Sequence, residues 1–192
     1  MDTMVRKVIQ SIGLVPLGLI GMAGLLLVTA CGEPADPARP QSEAPAAVTG
    51  SDEERVIHLY FADRDHTVLM AEQRALPAGI PPAETGLLAM QALLKGPKQR
   101  LARTIREGTQ LRAFYILENR TAYIDLTRAF RDHHPGGARS ELLTIYSIVN
   151  TLTMNMSEIE SVKILIEGQE VITLAGHVDL RYPLRANLLY VR

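Results

Sequence analysis

The capacity for chemistry in this chain rests on one thiol and a thin scatter of carboxylates and imidazoles. Cys31 is the single cysteine among 192 residues, so no intramolecular disulfide and no cysteine-built metal site is open to it. Its setting points to a different reaction. Arg6 and Lys7 precede an almost uncharged apolar run from Val8 to Ala30, which ends in Val28-Thr29-Ala30-Cys31. Small residues directly before a cysteine at the end of such a run resemble a bacterial lipobox, cleaved just ahead of that cysteine. The thiol of Cys31 would then carry diacylglycerol, and the new amino group a further acyl chain. Each buried CH₂ contributes about 0.8 kcal/mol, so one chain binds marginally while two or three hold firmly. An uncleaved signal-anchor helix is the competing reading, since the run is long enough for roughly 30 Å of hydrocarbon. Either way the rest of the chain is expected outside the cytoplasm and tethered to a membrane.

The remaining polar residues offer pairs rather than a catalytic set. Glu72 and Arg74 fall on one face of a strand-like segment, as an ion pair or a solvated face. His177 and Asp179 would point the same way in an extended segment, as a hydrogen-bonded clasp or a proton-transfer dyad. Asp125 is placed to cap the following turn through Thr127 and Arg128. Pairing it with Asp179 for glycoside hydrolysis is chemically conceivable, but nothing in the sequence brings the two together. His133 and His134 are adjacent, and consecutive side chains do not converge on one ion, so they read as a solvated loop pair. Asn150 lies in a helix one step from its apolar stripe and needs partners for its amide. Those partners are expected from backbone near Gly168 or Gly176. Ser140, Ser147 and Ser157 sit on or beside a helix, without the Gly-x-Ser-x-Gly elbow of a nucleophile. Gly136-Gly137 is too short a signal for a phosphate loop. No residue is assigned a catalytic, cofactor or metal role.

The elements that must position these residues follow the polar tether. Removing Met1–Ala30 changes the net charge from −1 to about −2, and the arginines and lysines are scattered, so nucleic acid is an unsuitable partner. Residues 31–54, rich in Pro and Ala, cannot bury enough surface to order themselves and read as a flexible tether. Residues 55–192 suffice for one core, which must be mainly Leu, Ile, Val and Met because the chain has 6 tyrosines, 3 phenylalanines and no tryptophan. Alternation predicts strands over Val56–Phe61 and Val68–Leu76. Pro81 and Pro82, then Leu87, Met90 and Leu94, predict a helix stopped by Lys95-Gly96-Pro97. A hairpin over Leu111–Leu117 and Ala122–Leu126 is expected to turn at Asn119 in a left-handed conformation. A second helix over Ala138–Met154 carries Leu142, Ile145, Val149 and Leu152. A central strand, Ser161–Glu167, turns at Gly168 into Glu170–Leu174, and an extended tail starts at Gly176. The order ββα-ββαβ with a C-terminal extension predicts an α+β, two-layer domain, a mixed or antiparallel sheet with two helices on one face.

The chain carries, in order, Leu59-Tyr60-Phe61-Ala62-Asp63, Leu69-x-x-Glu72-x-Arg74 and Ala92-Leu93-Leu94-Lys95-Gly96-Pro97. Ala122-Tyr123-Ile124-Asp125-Leu126, Ile148-Val149-Asn150-Thr151-Leu152, Gly168 and Gly176-His177-Val178-Asp179-Leu180 follow. Together these motifs resemble the GerMN domain of bacterial sporulation and spore-germination proteins. Arg106 departs from the pattern, which often has proline there. The resemblance implies a fold similar to small ring-building α+β domains and a non-enzymatic assembly role beside peptidoglycan-remodelling machinery. It implies no catalytic or cofactor residue. Expected partners are the membrane, through the lipid, and an envelope protein complex or peptidoglycan-associated proteins. The competing readings are a peptidoglycan-acting enzyme using Asp125, His177 and Asp179, and a glycan or small-ligand binder with a pocket at Tyr60, Tyr123 or Tyr146. Gly32 after the lipidated cysteine does not resemble an inner-membrane retention signal. The expected location is the cell envelope, facing the periplasm or the exterior.

Overall fold

Alternation in the first strand sets Ile57, Leu59 and Phe61 on one face, and all three are fully buried in β1 (Glu54–Ala62). The computed structural model describes residues 53–192; the leader and Cys31 lie outside them. Strand β2 (Leu69–Pro77) pairs antiparallel with β1, Glu54 opposite Pro77 and Ala62 opposite Leu69. Helix α1 (Pro82–Lys95) begins on a proline, whose missing N–H has no partner to lose in a first turn. It ends at Gly96 (φ 88), the left-handed region that glycine enters without a Cβ penalty. Met90 and Leu93 face the core, while Leu87 stays 36% exposed.

The hairpin β3 (Leu111–Ile116) and β4 (Thr121–Leu126) forms where expected. Its left-handed residue is Arg120 (φ 60), one position beyond Asn119. The Asn119 side chain explains the shift: its Oδ1 accepts the Thr121 N–H at 3.1 Å, an Asx-type turn that moves the strain onward. A single-turn helix, α2 (Ala129–Asp132), follows and drops Phe130 into the core. Helix α3 (Ala138–Asn155) buries Ile145, Val149 and Leu152 as its periodicity demands. Strand β5 (Ser161–Ile166) is buried at every residue. Glu167 (φ 54) and Gly168 (φ 74) then form a two-residue turn with both residues left-handed, which suits the twist of a hairpin.

Two further features differ from the sequence expectation. Strand β6 covers only Gln169–Glu170, because the backbone beyond it turns its N–H groups towards a buried carboxylate on α3. The strands also divide between two sheets. One holds β1 and β2; the other runs β3-β4-β5-β6, with β4 and β5 parallel and the outer pairs antiparallel. The edge of β1 away from β2 is unavailable to further strands because α3 and a loop occupy it. Asn155 Oδ1 accepts the His58 N–H at 2.8 Å, Thr151 Oγ1 accepts the Tyr60 N–H at 3.1 Å, and Ala102 bridges Ala62. The class is α+β. Helix α1 touches β3, α3 touches β5 and both touch β1, so the helix pair joins the two sheets. Among the described residues no helix is long and apolar enough to cross a membrane.

Candidate functional site

Each buried charge in this domain fastens one segment of backbone to another. Glu72 on β2 is 1% exposed and meets Arg74 as an ion pair, as the shared face implied, but in a buried rather than solvated setting. Its carboxylate also accepts the Lys98 N–H at 3.0 Å and the Gln99 N–H at 2.7 Å, while Arg74 Nη2 donates to Gly96 O at 3.0 Å. The pair thereby clamps the exit of α1. Burial pushes the Glu72 carboxyl up, yet the Lys98 and Gln99 amides and Arg74 together outweigh it and hold it below its usual value.

Glu141 is the largest such site, and no motif in the sequence singled it out. It is fully buried on the first turn of α3. Its Oε1 accepts N–H groups from Leu174 (3.0 Å), Ala175 (2.9 Å) and Val178 (3.2 Å), and its Oε2 accepts the His177 N–H at 2.9 Å. His177 Nδ1 lies 3.0 Å from Oε2, and an ionised carboxylate only accepts, so the imidazole donates there. Burial raises the Glu141 carboxyl, but the amides of Ala175, Val178 and His177 and the imidazole prevail and lower it. One signal was available in the sequence: Glu141 stands i−4 and i−7 from Ile145 and Ile148, in register with the apolar stripe.

The expected His177–Asp179 clasp does not form. His177 turns to Glu141, whereas Asp179 pairs with Arg181 at 2.8 Å, and that hydrogen bond lowers the Asp179 carboxyl to about 2. Asp125 does not cap the turn through Thr127 and Arg128 either. Its Oδ1 accepts the Gly168 N–H at 2.7 Å and its Oδ2 accepts from Arg112 at 2.8 Å. Thr127 and Arg128 find other partners, Thr127 Oγ1 accepting from Gln110 N–H and Arg128 N–H donating to Glu167. The structure thus joins Asp125 to Gly168, two residues the sequence singled out separately. Gly176 (φ 99) donates its N–H to Thr173 Oγ1 at 3.1 Å.

Asn150 is fully buried and does bind backbone, but at a different place from the one expected. Its Nδ2 donates to Asn187 O and its Oδ1 accepts the Asn187 N–H, both at 2.9 Å, so the C-terminal tail is its partner. Lys163, unremarked in the sequence, is 2% exposed on β5 and donates from Nζ to Leu180 O (3.2 Å) and Arg181 O (2.5 Å). His133 is exposed as expected, and its Nδ1 donates to Glu107 O at 3.1 Å. His134 is half-buried, not solvated. Thr144 gives its hydroxyl proton to Thr104 O, so His134 Nε2 donates to Thr144 Oγ1 while Nδ1 accepts the Gly136 N–H. Burial lowers the His134 imidazole, and these two bonds suit its neutral form. Tyr123 stacks on Tyr115 at 5.2 Å and Tyr146 on Tyr190 at 5.3 Å, while Tyr60 packs beside Leu69 and Leu143. Among the described residues no group of three or more His, Cys, Asp or Glu side chains could hold a metal.

Solved structures with this fold include the tandem GerMN domains of the sporulation protein GerM from Bacillus subtilis. They match over 69% of this chain and 46% of that one, at 21% identity and a TM-score of 0.54. The first GerMN domain of the same protein matches over 69% of this chain and 96% of that one, at 20% identity and a TM-score of 0.51. A candidate lipoprotein from Clostridium perfringens aligns over 69% of this chain and 87% of its own, with 27% identity and a TM-score of 0.49. No curated protein matches. The fold is therefore that of a GerMN-type module, and in this chain buried carboxylate-to-backbone clamps fasten it. Residues 58–172, more than half of the chain, match the family described as Germane: Sporulation and spore germination, and the chain belongs to it.

Proposed function

We propose that this protein is a membrane-tethered binding or scaffold module of the bacterial cell envelope. Cys31 would carry the lipid, the Pro- and Ala-rich segment between it and β1 would give reach, and the folded unit would join a peptidoglycan-associated or trans-envelope complex without turning over a substrate. The carrying observation is the destination of the polar side chains that could have done chemistry. Glu72, Glu141, Asp125 and Asn150 each accept backbone N–H groups from a distant segment. A carboxylate saturated with backbone donors is a weak proton acceptor and is not free to approach a substrate. Family membership supports the same reading, as does an available sheet edge. Strand β3 ends the order of the four-stranded sheet and has no outer strand partner among the described residues, so a partner strand can add there.

The test is crosslinking in the native cell followed by affinity capture of the full chain. Recovery of envelope-complex subunits is expected. Recovery of lipid and abundant porins alone would contradict the proposal. In parallel, purified sacculi incubated with the wild type and with His177→Ala should release no glycan or peptide fragments. Release that depends on His177 would establish an enzyme instead.

A further inference from the structure

We infer that a cleft beside the first turn of α3 binds a phosphate monoester, held by Arg106 and Arg139. Arginines that the sequence scatters converge in this cleft, a cavity of about 330 Å³ whose walls include Arg103, Arg106, Arg139 and His66. An adjoining depression of about 440 Å³ shares Arg103 and Arg106 and adds Glu107. The cations are not equivalent. Arg103 Nη1 donates to Leu94 O at 2.8 Å and its Nε lies 3.3 Å from Glu107, so Arg103 and the acid of the depression already have each other. Arg106 and Arg139 are exposed, and neither guanidinium group has an ion pair or a hydrogen-bond partner among the described residues.

Two unpaired guanidinium groups facing one cavity present two positive charges. A phosphate monoester, close to a dianion at neutral pH, balances both, whereas a single carboxylate balances one. The planar forks of arginine suit tetrahedral phosphate oxygens. The N-terminal end of the 18-residue helix α3 adds its dipole to this field. Buried Ala62 and Leu143 supply an apolar wall, and the volume lies at the small end of ligand sites, which run from about 300 to 1,000 Å³. The ligand is therefore compact, with a phosphate head and a body of a few carbons. A soluble phosphate ester and the headgroup of a phosphatidic acid share this chemistry. The inference does not depend on the scaffold reading, since a module can bind such a ligand and still join a complex.

The experiment is calorimetric titration of the full chain in nonionic detergent with glycerol 3-phosphate and, separately, with dihexanoyl phosphatidic acid. Saturable one-to-one binding of at least one probe is expected, weakened about tenfold or more by Arg106→Ala or Arg139→Ala. Arg106→Lys keeps the charge but not the fork and should lose part of the affinity. Arg131→Ala, outside the cleft, should lose none. The melting temperatures of the ligand-free variants should match the wild type, which separates lost binding from lost folding. Preference for glycerol 3-phosphate assigns a soluble ligand, and preference for the phosphatidic acid assigns a headgroup. No saturation by either probe, or binding undiminished in both alanine variants, would overturn the inference.

Discussion

Glu141 shows how a single side chain can organise a stretch of chain that has no regular structure. Four backbone N–H groups and one imidazole converge on its two oxygens. Removing it leaves several buried donors unsatisfied, so Glu141→Ala should cost about 3–5 kcal/mol in chemical denaturation. His177→Ala, which removes a half-exposed partner and keeps the four amides, should cost far less; equal losses would contradict this division of labour. The pH dependence follows from the same contacts. Glu72 and Glu141 titrate below their ordinary 4.5, so the unfolded chain takes up protons first. Their stabilisation is complete above about pH 4.5 and is lost as pH falls through the folded-state values. His134 is lowered from 6.5 by burial, so it begins an earlier loss below about pH 6.5. The melting temperature should therefore fall in two stages on acidification, and His134→Gln should remove the first. A flat profile between pH 7 and 5 in the wild type would sink this account.

At the scale of elements, the sequence was most legible where a repeat of two or 3.6 residues met an apolar face. Strands β1 to β5 and helices α1 and α3 lie within a few residues of where periodicity placed them. The partnership of polar residues was less legible, because it depends on tertiary approach. His177 and Asp179 share a strand-like spacing, but a buried acid on α3 captures one and Arg181 the other. Asn150 advertised a need for partners without showing that the tail would supply them. Asn150→Leu should lower the melting temperature by several degrees and raise amide exchange around Asn187, since it strands a paired N–H and C=O at about 1–3 kcal/mol. Unchanged exchange there would argue against the latch. Gly86 was equally silent. A Cβ on it would lie 2.2 Å from the Phe114 ring, so a methyl there forces that β3 side chain to move. Gly86→Ala should destabilise by about 1–3 kcal/mol despite its better helix propensity. Adding Phe114→Leu should recover part of that loss, and additive losses would show that the two residues do not touch.

The whole molecule joins a tightly clamped domain to an N-terminal segment whose one thiol, Cys31, is the proposed point of lipid attachment. The family match covers residues 58–172 of the domain, and the role proposed for the N-terminal segment rests on the residues around Cys31. The arginine cleft illustrates what neither composition nor spacing could reveal: a chain of near-neutral charge gathers its cations locally only when β1, the segment around Arg106 and the start of α3 come together. The proposed scaffold function presupposes delivery to the envelope and retention there. Intact-mass measurement on protein extracted from native membranes tests this most directly. The account predicts a polypeptide that begins at Cys31 and carries the added mass of diacylglycerol and a further acyl chain. A mass that retains residues 1–30 without lipid, with the protein recovered from the cytosol, would contradict it.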